Sequence, residues 1–373
     1  MTGHTSPAHQ DGEWGASLAD VVSRRTVLVG ALGVGALGAT ALAGCGITPS
    51  PGPSTSARPV TSSPSPLAGA TEAEAECVAL EALVRRATSP AAASPLSAAD
   101  VANLEWLGTS IAVQRAALVK RSPSPSASTV ASSEPPFATG AEALAAVTQL
   151  LADHAASSSA RAKGTTGAVA VLWASMAAFR AAAGPALTPR VFQPGPTATP
   201  STSPKSKVKP TPLSPPAFSV EATHADGPSA PPAPNVEPDA TLLARVYEIL
   251  YGYQVTLATP SLNADNRAPL LERYEAWLRL RDTLTTRLHG PGATPMASIP
   301  QASPAYRIGV PATFEAALKQ AAGLEAAAVP KLAASLVAQT TPDEVAAAVD
   351  ALAGAHTAAV RWGAPQLVWP GAT

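Results

Sequence analysis

From residue 71 to residue 363 the apolar side chains recur at intervals of three and four, and no stretch alternates with period two for long enough to require a sheet. That spacing places apolar residues along one face of an α-helix, so the expected fold class is all-α. Three stretches interrupt the pattern: residues 46–70, 122–138 and 185–237. They are rich in Pro, Ser and Thr and lack periodic apolar positions, so they have no face to bury and are expected to be disordered, as a tether, a loop and a linker respectively. The chain then divides into helical residues 71–184, with four helices around the loop, and residues 238–373, with four more.

Local signals mark where the helices begin and end. Thr71-Glu72-Ala73-Glu74 reads as a capping box, followed by Cys77, Leu80 and Val84 on one face. A second helix starts near Ser97 with Val101, Leu104, Ile111 and Leu118; a third opens at Thr139-Gly140-Ala141-Glu142. The fourth carries Ala168, Leu172 and Phe179, and Gly184-Pro185 is expected to stop it. Helix five, from about Asp239, buries Leu242, Val246, Ile249 and Tyr253; helix six buries Leu270, Tyr274, Trp277, Leu284 and Leu288. Helix seven runs from about Ala312 with Pro330 inside it, where a kink is expected, and Thr341-Pro342-Asp343-Glu344 caps helix eight. Short loops join helices five to six and seven to eight. The long connection 290–311 between them can run the length of a bundle, as the single crossover of ferritin-like bundles does.

The N-terminal 44 residues read as an export signal. Ser23-Arg24-Arg25-Thr26-Val27-Leu28 matches the twin-arginine pattern, and nineteen uncharged residues follow, Thr26 to Gly44, diluted by glycine. Leu42-Ala43-Gly44-Cys45 resembles a bacterial lipobox, in which small residues precede the cut and the cysteine thiol takes a diacylglycerol. Cys45 is thus the expected lipidation site, and membrane lipid, including a palmitate-type chain, the first expected partner. Each buried methylene adds ~0.8 kcal/mol, so two chains hold where one is marginal. The mature chain would be a signal-peptide-cleaved lipoprotein on the extracytoplasmic face of the cell membrane. With Cys45 acylated, Cys77 has no cysteine partner, and its place on an apolar helix face suits a buried thiol.

Residues 240–371 resemble the ferritin-like domain of unknown function of actinobacterial exported lipoproteins. The residues that carry the resemblance are Tyr251-Gly252-Tyr253, Arg281-Asp282 with Leu284, Glu325 after Ala321, Trp362-Gly363 and Trp369-Pro370-Gly371. The resemblance implies a C-terminal ferritin-like four-helix bundle on an exported lipoprotein and brings no established activity; the family's N-terminal helical region is echoed more loosely by residues 71–184. Where such relatives carry a histidine before the Arg-Asp pair, this chain has Trp277.

Net charge is −1, which gives no electrostatic case for nucleic acid. Ferritin-like di-iron sites take two glutamates and two Glu-x-x-His pairs; the one Glu-x-x-His here, Glu221 to His224, falls in the Pro-rich linker. No metal or cofactor is therefore expected, and no nucleophile–base–acid set is legible. Two polar residues do sit on core stripes: Glu325 in helix seven and His356 in helix eight. They form a candidate buried polar site, with Arg281 as the other candidate partner of Glu325. A structural hydrogen bond, half of a degenerate ligand site and a pair at the edge of the stripe are all open readings. The function expected is a non-catalytic binding or structural module of the envelope, with an envelope protein or cell-wall partner. A ferritin-like metal-binding protein with oxidase or storage chemistry is the alternative.

Overall fold

A computed structural model describes residues 67–89, 96–119, 137–187, 236–290 and 299–371. The signal residues Arg24 and Arg25, the lipidation site Cys45, and the greater part of the expected tether, loop and linker lie outside the described residues. The described residues are helical with no strand among them, in line with the all-α expectation. In chain order they are α1 (Ala70–Ala87), α2 (Ala98–Val119), α3 (Gly140–Lys163), α4 (Gly167–Leu187), α5 (Glu237–Leu257), α6 (Ala264–Leu288), α7 (Phe314–Ala338) and α8 (Pro342–Arg361).

Most starts follow from capping chemistry. The Thr139, Thr313 and Thr341 side chains each accept the amide hydrogen bond of the residue three ahead, as does Asn263 for α6. At α8 the Glu344 carboxylate also accepts from the Thr341 amide at 3.3 Å, completing the expected capping box. Two expectations are corrected. Helix α1 starts one residue before Thr71, after Gly69 in the left-handed region (φ 79°), and no side chain caps it. Helix α4 passes through Pro185 and ends at Leu187. Pro185 has no N–H to give to the last turn, and the burial of Leu187 offsets that loss.

In the C-terminal half, one polar cluster fixes the helix directions. Asp239, near the start of α5, accepts bonds from Arg287 near the end of α6 (2.5 Å), Ser335 (2.5 Å) and Gln339 (3.1 Å) at the end of α7. Arg287 also pairs with Glu344 at the start of α8 at 3.1 Å. So α5 runs antiparallel to α6 and α7 and parallel to α8, two hairpins joined by the long 289–313 connection. Gly252 lets α5 press onto α7: a Cβ there would lie 2.6 Å from Leu324 Cδ1.

The N-terminal half is built likewise, with α1 on α2, α3 on α4 and α1 on α3. Helix α4 lies against α8, and both halves share one compact unit. Helices α4 and α7 are long and apolar enough to cross a membrane. Yet 78% of the apolar window of α4 and 56% of that of α7 is buried against other helices, which is how core helices read. The C-terminal tail ties the halves together. Gln114 on α2 donates to the Val368 carbonyl (3.0 Å), and Gln366 donates to the Phe179 carbonyl on α4 (2.8 Å).

Candidate functional site

At the centre of the C-terminal bundle lies Glu325, on α7, with no exposed surface. Its stripe position follows from Ala321, Ala328 and Leu332, all buried around it. A lone carboxylate there would be costly, and three residues from two other helices supply donors. Arg273 on α6 donates Nε–H to Oε1 (3.0 Å) and Nη2–H to Oε2 (2.9 Å), a bidentate pair. Trp277, one turn on, donates its indole N–H to Oε1 at 2.9 Å, and the Tyr253 hydroxyl on α5 donates to the same oxygen. The Arg273 guanidinium also lies 5.6 Å from the Trp277 ring centroid.

The surroundings hold these groups in place. Gly354 on α8 makes room for Arg273, because a Cβ there would meet Nη1 at 2.9 Å. Trp362 meets the Tyr253 ring edge-on at 6.2 Å, and Gly363 (φ 105°) turns the chain away after it. Burial, then the Glu325 charge, pushes the Tyr253 pKa well above its usual value, so the phenol stays a donor. For Arg273, burial works to lower the pKa, but the Glu325 carboxylate outweighs it and the pKa is raised.

The expected trio is not brought together. Glu325 finds its partners in Arg273, Trp277 and Tyr253. Arg281 directs its guanidinium at the adjacent Asp282, at 2.6 and 2.8 Å, on a largely exposed face. His356 is 2% exposed, its Nε2 has no hydrogen-bond partner, and burial alone lowers its pKa to about 4. The residue missed was Arg273. Its signal was present, since Leu270, Arg273 and Trp277 are spaced three and four apart on the inward stripe of α6.

A second cluster, with no counterpart among the expectations, joins α1, α3 and α4. Glu76 accepts from Arg161 (2.5 and 3.1 Å), Ser157 (2.7 Å) and the fully buried Arg180 (2.8 Å). Burial works to raise the Glu76 pKa, but the bonds from Arg161 and Ser157 and the charge of Arg180 override it and hold it at about 2. Arg180 also donates to Ser158 Oγ (2.7 Å) and approaches Cys77 Sγ at 3.4 Å. Burial raises the Cys77 pKa against the pull of Arg180, so the thiol stays protonated.

Di-iron chemistry of the ferritin kind needs several inward carboxylates and imidazoles. The interior of this bundle offers two carboxylates, Glu325 and Asp239, each accepting donors on both oxygens and each paired with a guanidinium, and one imidazole, His356, that bonds to neither. Among the described residues no three His, Cys, Asp or Glu side chains converge. The donor set does not fit such a centre.

Residues 240–373 match a domain of unknown function, DUF4439. The match takes in α5 from residue 240 onward, α6 to α8 and the tail, and so includes all four residues of the Glu325 centre. No curated protein and no solved structure gives a match.

Proposed function

We propose that the chain is an exported lipoprotein, held on the extracytoplasmic face of the cell membrane by lipid on Cys45. Its helical body acts there as a non-catalytic binding or structural module, with an envelope protein or cell-wall component as partner. The observation that carries this reading is the order Arg24-Arg25, nineteen uncharged residues, Leu42-Ala43-Gly44-Cys45. The non-catalytic part is supported by the Glu325 centre, whose carboxylate accepts on both oxygens from Arg273, Trp277 and Tyr253. The ferritin-like reading of the C-terminal half is supported by its two hairpins and long crossover. Lipid labelling of Cys45→Ala tests the anchor. The variant is expected to take no label and to leave the membrane fraction or remain unprocessed; label equal to wild type would overturn the proposal. Export should fail in Arg24→Lys with Arg25→Lys, because lysine does not reproduce the paired guanidinium geometry.

A further inference from the structure

The two halves of the helical body share more than topology. The eight buried positions of α1, from Ala70 to Ala87, have the same spacing as eight of the nine buried positions of α5, from Asp239 to Thr256. Cys77 then answers to Val246, Leu80 to Ile249 and Val84 to Tyr253; the ninth position is Gly252. On α2, Leu104, Ile111 and Leu118 repeat the spacing of Leu270, Trp277 and Leu284 on α6. On α3, Ala143, Val147, Leu151, Ser158 and Ala162 repeat Ala317, Ala321, Glu325, Leu332 and Leu336 on α7. Thr139 and Thr313 cap the two third helices at the same register. Loops of three residues follow, Gly164–Thr166 and Gln339–Thr341, both ending in Thr-Thr.

The contact between the halves has the same symmetry. Helix α4 packs on α8, α3 touches α8, and α4 touches α7. Exchanging each helix for its counterpart returns the same set of contacts, as in an isologous dimer.

We infer that residues 67–187 and 236–371 are two copies of one four-helix unit, joined face to face through their fourth helices as the subunits of a homodimer would be. The register then assigns a counterpart to each member of the Glu325 centre: Val84 for Tyr253, Leu107 for Arg273, Ile111 for Trp277 and Leu151 for Glu325. All four counterparts are buried and apolar. The first unit fills with hydrocarbon the positions where the second places an ion pair, a phenol and an indole N–H, and its own polar cluster around Glu76 stands at other positions. The Glu325 centre is a specialisation of the second unit and not a requirement of the fold. It reaches solvent through Arg273 alone, which is 20% exposed, while Tyr253, Trp277 and Glu325 are sealed.

The test is made in the full chain, by urea unfolding. Glu325→Leu leaves three donors without an acceptor and should lower the midpoint clearly. The fourfold variant Tyr253→Phe, Arg273→Met, Trp277→Phe, Glu325→Leu makes the same positions apolar, with volume lost at Trp277, and should bring the midpoint back well above that of Glu325→Leu. A fourfold variant that does not fold, or is no more stable than Glu325→Leu, overturns the inference, because the second unit would then depend on a centre that the first does without. A protease site placed between residues 187 and 236 tests the pairing. The cut chain is expected to stay together as a one-to-one complex, and separation on cutting would refute a dimer-like interface.

Discussion

Replacing His356 by leucine should flatten the pH dependence of stability in mild acid. The imidazole is 2% exposed and its folded pKa is lowered from 6.5 to about 4 by burial. A base whose folded pKa lies below its unfolded value is protonated first in the unfolded chain. Stability therefore falls as pH drops through the unfolded pKa near 6.5, and the loss is complete below the folded value near 4. Integrated from about pH 7 to about pH 5, the shift costs the wild type about 2 kcal/mol. Denaturant unfolding at these two pH values, for wild type and His356→Leu, measures the difference directly. The variant should lose less than the wild type by about that amount. At neutral pH it should be as stable or slightly more so, because the Nε2 it removes has no partner. The variant keeps the acid sensitivity that comes from His154, whose pKa burial also lowers, and, below its usual value of 4.5, from Glu76. Identical pH slopes for the two proteins would refute the reasoning.

Glu325→Gln should be strongly destabilising. It breaks a buried bidentate ion pair, a loss of about 3–5 kcal/mol in denaturant unfolding. A double-mutant cycle of Glu325 with Arg273 should show strong coupling, whereas a cycle of Glu325 with His356 should be additive within about 0.5 kcal/mol; coupling of the second pair would mean the two side chains meet. Gly371→Ala should loosen the tail. The residue sits at φ 83°, and a Cβ would lie 2.6 Å from that of Ala333. A loss of about 1–3 kcal/mol is expected, and a neutral result in the same assay would count against the tail docking described.

Much of the fold was legible because helix caps and stripes are local. Thr139 and Thr341 announce α3 and α8 by residues within one turn, and the inward faces of α5 and α6 follow from Ile249, Tyr253, Leu270 and Trp277 alone. Glu325 was recognisable as a buried carboxylate in need of a partner. Its partner was not, because three helices must be docked before Arg273 can be preferred to Arg281 or His356. Arg273 is a long side chain that crosses from α6 to α7 through a gap left by Gly354, and no periodicity of α6 by itself reports a glycine on α8. The end of α4 was misjudged for a related reason. Pro185 is a local stop signal, and the buried seat of Leu187 is a tertiary one that prevails.

Lipid on Cys45 would set both where the mature chain begins and how it is held. The most direct measurement is the mass of the N-terminal peptide of the protein purified from its native membrane fraction. The expected result is a peptide that starts at Cys45 and carries diacylglycerol, with or without a third acyl chain on its amino group. A peptide running through Gly44-Cys45 with an unmodified thiol would contradict it.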